Sequence, residues 1–201
     1  GGREEKPHPY PNMYNIPPMD CIETLELKRS ATVKKGGKLI SFTAIVAAGN
    51  GDGSCAIAKG KHVEAVKAIE KATRKCHRFS ALEHFDLYDG RTVFHDHKTK
   101  FKKTKIIMLA SKAGMGLRAP PVVRAMCECI GIQDIQVKFH GSRNRTAMIK
   151  AFWKALKEQQ NPATVARFRG MAVVDTAMLR GGYGKGCSTV FTLPGQAISK
   201  K

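Results

Sequence analysis

The sequence predicts an α+β protein made of two successive modules, β-β-β-α and then β-β-α-β-α. Twice along the 201 residues, the hydrophobic pattern changes from the period of a strand to that of a helix. Asp89-Gly90 is a turn signal between the two halves, and a hydrophobic content of 42% is enough to form a core. The expected boundaries are an extended arm at 1–22, a first domain at 23–88, a second domain at 89–161 and a C-terminal extension at 162–201.

The first module begins after a proline-rich segment without periodicity. TLELKRSATV is strand-like, KKGGK is a turn, and apolar residues then alternate along a second strand. A glycine-rich turn leads to a short third strand, SCAIAK, and from Lys61 to Phe79 the period becomes helical. We expect the buried stripe of this helix to consist of Val63, Val66, Ile69, Ala72, Cys76 and Phe79.

The second module contains two predicted strands, TVFH and KTKIIMLA, on either side of the lysine-rich HDHKTKFKK. Pro120 and Pro121 fit the first turn of a helix that Gly131 can end. The strand DIQVKFH follows, and a last long helix runs to about Gln160, where Asn161-Pro162 stops it.

The charge balance points to a polyanionic partner. Lys and Arg number 35 against 16 Asp and Glu, which gives a net charge of +19 and a pI near 9.9. The excess is spread through both modules, and such a charge destabilises a compact fold unless a polyanion neutralises it. Nucleic acid is therefore the predicted partner, ahead of a basic face that serves solubility alone. No apolar run reaches the roughly 20 residues that a membrane-spanning helix needs.

Glycine and lysine occur together at the turns of the first module. Glycine lets the backbone approach an anion closely, and lysine supplies charge, so these turns are candidate phosphate contacts. Plain turn geometry is the alternative explanation. The candidates are Lys34, Lys35, Gly36, Gly37 and Lys38 in one turn, Asn50, Gly51, Asp52 and Gly53 in the next, and Lys59 and Lys61 at the expected N-terminus of the helix.

Two segments of the second module are further candidates for RNA contact. The first is the lysine-rich run after His95, in which metal binding is not expected because the lysines would repel a cation. The second is a polar turn with two arginines, which suits a phosphate clamp or a plain helix cap. The residues concerned are Lys98, Lys100, Lys102 and Lys103, and Arg143, Asn144 and Arg145.

Motifs for other chemistry are missing from the sequence. The glycines satisfy neither the P-loop nor the GxGxxG spacing, and no carboxylate pair suggests acid-base catalysis. Cys127 and Cys129 would diverge on a helix and are expected in the core, while the six cysteines are expected to be reduced thiols. We therefore expect no catalytic residue, no cofactor and no metal.

The order of several motifs resembles small-subunit ribosomal protein number five. The match runs over about residues 24–170 and rests on VKKGGK, SFTAIVAAGNGDG, AKGKH, MLASKAGMGLRAPPVVRAMCECIG and VKFHGSRN. TVFHDHKTKFKKTKI and GMGLR are similar to the mitochondrial branch of the family. The segment APP and the third strand SCAIAKGK depart from the family pattern.

This resemblance implies a first domain similar to a double-stranded-RNA-binding fold and a second domain like that family's own second domain. It implies binding of small-subunit ribosomal RNA, support of the messenger RNA entry and decoding region, and contacts with small-subunit ribosomal proteins numbers three, four and eight. It also implies the mitochondrial matrix as location, or another organellar or bacterial-type ribosome. The family's RNA-approaching loop falls on 34–38, its glycine turn on 49–53, and a protein interface on Gly116, Arg118 and Arg124.

Two other functions are compatible with parts of the sequence. One is a free-standing regulator that binds double-stranded RNA. The other is a phosphotransferase built on the second domain, whose fold resembles one used by small-molecule kinases, but the chain lacks a phosphate loop and an evident base. The first residue is Gly, from which we expect a processed or truncated start.

Overall fold

The computed structural model describes residues 19–78, 81–171 and 173. The contacts divide the chain into two compact units. The first unit ends at Phe85 and also contains Ala125–Gly131, and the second contains Asp86–Arg124 and the chain from Ile132 onward. The α+β class is confirmed, and the boundaries at 88/89 and 161/162 stay predictions.

The first unit contains one antiparallel sheet and a helix. The sheet has the order β1-β2-β3-β4, so sequence neighbours are also neighbours in space. The short fourth strand was not expected from the sequence. The elements are β1 (Cys21–Lys34), β2 (Gly37–Gly49), β3 (Ser54–His62), α1 (Ala65–Cys76) and β4 (Leu82–His84).

Strand β2 is buried on both faces over its second half. On one face Val46 and Ala48 pack in a cluster with Ala72 and Cys76 of α1. Gly60 allows the helix this close, because a Cβ at that position would lie 2.1 Å from the carbonyl oxygen of Ala68. On the other face, Cys129 of the same unit reaches the strand, because its Sγ lies 4.0 Å from Ala47 O and a Cβ on Gly49 would lie 2.1 Å from its carbonyl oxygen.

Two expectations for the first helix are wrong. The helix begins at Ala65, not at Lys61, and Val63 and Val66 are 68% and 66% exposed. Its buried residues are Ala68, Ala72 and Cys76, because only small side chains fit against the tightly packed sheet. Phe79 lies outside the described residues.

The second unit also contains a four-stranded sheet, with the order β5-β6-β8-β7 and a parallel pairing only between β7 and β8. Helix α2 begins in this unit, and its residues from Ala125 onward belong to the first unit. The elements are β5 (His97–Phe101), β6 (Thr104–Ala110), β7 (Leu117–Arg118), α2 (Pro121–Ile130), β8 (Ile135–Gly141), α3 (Arg145–Lys157) and α4 (Pro162–Arg169).

The strand predicted at TVFH is wrong in position. The strand that is present is β5, which lies inside the lysine-rich segment. Within TVFH, Thr92 forms only an isolated bridge with Tyr88. Lysines alternate in β5 with half-buried His97, Thr99 and Phe101, which is the pattern of an edge strand with one covered face. The long helix ends at Lys157, with Glu158 as its C-cap, earlier than the predicted end near Gln160. Asn161 accepts a hydrogen bond from Ala163 N and is the N-cap of α4, so Asn161-Pro162 begins this next helix.

A buried carboxylate organises the loop before β7. Asp134 is 3% exposed, and its Oδ1 accepts from Gly116 N at 2.7 Å. Its Oδ2 accepts from Gly114 N at 3.3 Å and from Arg91 Nη1 at 3.1 Å. The N–H of Gly116, together with the guanidinium of Arg91, holds the pKa of Asp134 below its ordinary value of 3.8. This cluster fixes the loop that carries Gly116.

Candidate nucleic-acid interface

The β1-β2 hairpin extends beyond the rest of the first sheet. β3 pairs with β2 only from Phe42 onward, so residues 30–34 and 37–41 pair with each other alone. Lys34, Lys35 and Lys38 are exposed at the tip. A Cβ on Gly36 or Gly37 would meet no atom within 4 Å. The hairpin therefore presents a narrow, positively charged end with open space around its backbone.

Apolar side chains stand next to these lysines. Val33 is 73% exposed and Leu39 is 55% exposed, both on the two-stranded part of the hairpin. The register places Val33 opposite Lys38 and Leu39 opposite Thr32, so the two apolar side chains lie on opposite faces of the hairpin. The hairpin thus offers charge at its tip and apolar contact along its sides.

The glycine turn after β2 does not use its backbone as predicted. Gly51 N donates to Cys129 O at 3.1 Å, and Gly53 N donates to Ile130 O at 2.7 Å. Asn50 Oδ1 accepts from the N–H groups of Asp52 and Ser54. These donors satisfy the carbonyls at the end of α2, so the expected cradle of free N–H groups is wrong. A contact of this turn with RNA stays a prediction.

Lys59 and Lys61 do not flank a helix N-terminus. Both lie on β3, and Lys61 belongs to the row Lys28, Thr43 and Lys61 across the sheet. The three lysines of this region, Lys28, Lys59 and Lys61, are exposed. They form a basic patch on the sheet face opposite α1, and the anion site expected at the start of that helix is wrong.

The second sheet has one open face, and it is basic. Every second side chain of its strands, such as Ile106, Met108 and Val137, is buried on the side of the sheet that faces α3. The side chains between them point to the other side and are largely exposed. The strand register aligns the exposed side chains in rows that run across the sheet. We call this the open sheet face, and its successive rows are Lys100, Lys105 and His140; Lys98, Ile107 and Lys138; and Leu109, Gln136 and Arg118.

None of the described side chains in these rows is acidic. On the other side of the sheet, Glu158 Oε2 is 2.9 Å from His97 Nε2. Several contacts lower the pKa of Glu158 from its ordinary value of 4.5, and this hydrogen bond with His97 has the largest effect. The Lys and Arg side chains of these rows outnumber the carboxylate at the edge of the sheet, Asp96, whose Oδ1 accepts from Ala110 N, so the open sheet face keeps a positive potential.

The predicted arginine turn lies at the end of this sheet. Ser142 N donates to Lys103 O at 3.1 Å, and Thr104 Oγ1 donates to Ser142 O at 2.9 Å. The turn at Lys102 and Lys103 is thus bonded to the segment that leads into Arg143. Two basic segments 40 residues apart in sequence meet here, and neither was linked to the other by sequence reasoning.

The N-terminus of α3 completes this end of the sheet. Asn144 is the N-cap and accepts from Thr146 N at 3.1 Å, which confirms the capping alternative for this residue. Arg143 and Arg145 on either side are exposed. A phosphate contact by these arginines is compatible with the cap and stays a prediction.

Sequence reasoning missed part of the open sheet face. Lys105, Lys138 and His140 were not among the candidates, although each alternates with buried residues on a predicted strand. The alternation itself was visible in KTKIIMLA and DIQVKFH. The register between strands, which places these side chains beside Lys98 and Lys100, was not.

The residues expected at a protein interface are partly structural. Gly116 has φ +69° and donates to Asp134, while Arg124 Nη2 donates to Leu117 O at 3.4 Å. Arg118 is exposed and lies in the last row of the open sheet face. Their contact with a partner protein stays a prediction.

Other chemistry finds little support in the described residues. No cluster of His, Cys, Asp and Glu in that part of the chain could hold a metal ion. Asp96 Oδ1 accepts a hydrogen bond from Ala110 N, so this carboxylate has a structural contact with β6. Burial raises the pKa of Cys55 to about 12 and that of Cys76 to about 11, so these thiols stay protonated near neutral pH.

Helix length gives one further finding. Within 19–78 and 81–171, no helix combines the length and the apolar composition needed to cross a lipid bilayer.

Family models match both units. Residues 22–79 match "Ribosomal protein S5, N-terminal domain" and residues 99–169 match "Ribosomal protein S5, C-terminal domain". Relatives named "Small ribosomal subunit protein uS5" include that of Hyphomonas neptunium, 39% identical over 149 residues and 74% of each chain. That of Pelagibacter ubique is 37% identical over 157 residues, 78% of this chain and 91% of the relative. That of Coxiella burnetii is 36% identical over 147 residues, 73% of this chain and 86% of the relative. The chain belongs to the ribosomal protein S5 family, as its sequence resemblance predicted.

Proposed function

We propose that this protein is a structural constituent of the small ribosomal subunit that binds ribosomal RNA. The observation that carries the proposal is its membership of a ribosomal protein family, matched in both units. That family is structural rather than catalytic, and it does not favour a free-standing RNA-binding regulator.

The basic surfaces explain how such a protein would hold RNA. The hairpin tip (Lys34, Lys35 and Lys38) and the open sheet face each gather lysines without acidic neighbours in the same rows. Lysines that neutralise phosphates release condensed counterions, and this drives binding without base recognition. Folded RNA is recognised largely by shape and by its phosphates, which suits a narrow hairpin and a flat face. The protein would act as an architectural clamp.

The finer aspects of the proposal concern place and partners. The hairpin suits the messenger RNA entry and decoding region, and the segment Gly116–Arg124 suits a contact with ribosomal protein four, three or eight of the same subunit. The similarity of TVFHDHKTKFKKTKI to the mitochondrial branch supports a mitochondrial ribosome, although the relatives named above are bacterial.

Salt dependence of RNA binding tests the role of the open sheet face. In one variant Lys98, Lys100, Lys105 and Lys138 become Gln, and in a matched control the exposed helix lysines Lys67, Lys71, Lys150 and Lys157 become Gln. Both variants lose the same charge. We expect the slope of log K against log salt to fall by about 3 in the first variant only, at about 0.7 to 0.9 for each lost phosphate contact. Equal slopes for the two variants would contradict the assignment of this face.

Location is tested by fractionation. Sedimentation of a mitochondrial lysate should bring the protein into the fraction that contains small-subunit ribosomal RNA. Recovery at the top of the gradient, away from that RNA, would favour the free-standing regulator.

A further inference from the structure

We propose that Cys21 and Cys129 form an oxidisable dithiol that closes to an intramolecular disulfide. The two residues are 108 positions apart in sequence, and their Sγ atoms are 3.2 Å apart. A disulfide bond is about 2.0 Å long, so the sulfurs need to approach by about 1.2 Å. Small rotations of two short side chains can supply that distance.

The pair is held in place by the backbone around it. Cys21 is the first residue of β1 and lies opposite Gly49 of β2. A Cβ on Gly49 would be 2.1 Å from Cys129 O, so glycine lets α2 approach the strands here. The hydrogen bond from Gly51 N to Cys129 O fixes the helix end in the same position. The closeness of the two sulfurs is therefore a consequence of how the first unit packs.

The two thiols differ in access, which suits a stepwise reaction. Cys21 is half-buried, whereas Cys129 is fully buried. Burial raises the pKa of the Cys129 thiol, and its contact with Cys21 raises it further. A soluble oxidant therefore meets Cys21 first.

A small-molecule disulfide such as oxidised glutathione is the oxidant in the proposed reaction. The Cys21 thiolate attacks one sulfur of that disulfide, and one glutathione thiolate leaves. The Cys129 sulfur then attacks Cys21 Sγ, the second glutathione leaves, and it takes up the proton of Cys129. The protein dithiol is oxidised by two electrons, and the small disulfide is reduced to two thiols.

The other described cysteines lack this arrangement. Cys55 Sγ and Cys76 Sγ each donate to a backbone carbonyl, of Ala56 and of Val46. Cys129 Sγ likewise lies 4.0 Å from Ala47 O, but it also contacts the sulfur of Cys21. Cys127 is fully buried two positions before Cys129. Cys187 lies outside the described residues. Cys127 is the useful comparison, because trypsin leaves it in the same peptide as Cys129.

The test uses the full chain in glutathione buffers of increasing oxidised fraction. Unreacted thiols are trapped by alkylation, and tryptic peptides are mapped by mass spectrometry without reduction. We expect a cross-linked peptide pair that contains Cys21 and Cys129, with a mass about 2 Da below the sum of its reduced parts. The cross-link should persist in Cys127→Ala and disappear in Cys129→Ala.

A second measurement keeps the test decisive if a variant folds poorly. Oxidised wild-type protein should unfold at a higher urea concentration than reduced protein, because the bond closes a long loop of the unfolded chain. The Cys21→Ala variant should show no such difference. Two results would overturn the proposal. In the first, Cys21 forms a mixed disulfide with glutathione and reacts no further; in the second, the cross-link is still present in Cys129→Ala. Neither result depends on RNA binding.

Discussion

The two units use the same kind of sheet in opposite ways. In the first unit, β2 is buried from Ala44 to Ala48, with α1 on one face and Cys129 against Ala47 on the other, and the lysines of the hairpin lie at its exposed tip. In the second unit, α3 covers one face, and the other carries lysines in rows. The first sheet, buried on both sides in the second half of β2, leaves the hairpin tip and the patch of Lys28, Lys59 and Lys61 exposed, whereas the second sheet, covered on one side, offers an entire face. The location of charge therefore follows from how many layers cover each sheet.

The largest expected effect tests the closure of the first sheet. Gly49→Ala places a Cβ against the Cys129 backbone and should lower the free energy of unfolding by about 3 kcal/mol, as overpacking of a core does. Urea unfolding measures the loss, and hydrogen exchange in β2 and α1 locates it. Gly36→Ala is the control, because its Cβ would meet no atom within 4 Å. Its stability should stay within about 0.5 kcal/mol. Similar losses for both variants would mean that this close approach does not stabilise the unit.

The next prediction compares the two basic surfaces directly. Changing Lys34, Lys35 and Lys38 to Ala should lower the salt slope of RNA binding by about 2 to 3, at nearly one unit for each lysine. Combined with the four substitutions on the open sheet face, the losses should add, because separate surfaces contribute independently. Binding titrations at several salt concentrations measure this. An unchanged slope in the hairpin variant would show that its lysines do not contact RNA.

An intermediate effect is expected at the buried carboxylate of the second unit. Asp134→Asn removes the charge that Gly114 N, Gly116 N and Arg91 stabilise, and it should lower the urea midpoint of this unit. Fluorescence of Trp153, the single tryptophan, reports on the second unit. Asp52→Asn, an exposed carboxyl of the first unit, is the control and should leave this transition unchanged.

The same carboxylate predicts a pH dependence. Its pKa is lowered in the folded protein, so the unfolded state binds more protons in the acid range. Its contribution to stability is therefore present above the ordinary value of 3.8 and is lost as the pH falls through the lowered pKa. Wild-type protein should lose this part of its stability in acid, and Asp134→Asn should not. Parallel pH profiles would contradict this account.

The smallest effect is expected at the covered face of the second sheet. Glu158 contacts His97 Nε2 and, at 3.4 Å, Lys154 Nζ, near the surface. Glu158→Gln should change the free energy of unfolding by less than about 1 kcal/mol, and added salt should reduce the difference further. Glu70→Gln on α1 serves as the control. A larger, salt-independent loss would mean that this ion pair fixes α3 on the sheet.

Much of this molecule could be predicted from residue pattern. Alternating and helical periods predicted the α+β class and most of the elements, and the order of the motifs predicted the family. The strand β5 was missed because its lysines resemble a loop, although they are the exposed half of an edge strand. The start of α1 was misplaced because β3 continues through Lys59 and Lys61.

By itself the sequence determined where charge and apolar residues alternate, since these periods depend only on local backbone geometry. Only the tertiary structure decided which alternating side chains become neighbours, because strand register and layer coverage depend on contacts between distant segments. That is why the open sheet face could not be assembled from the sequence. It is also why the sequence did not show that the backbone N–H groups of Gly51 and Gly53 donate to carbonyl oxygens at the end of α2. For the same reason it did not show that Cys21 and Cys129, far apart in the chain, lie side by side.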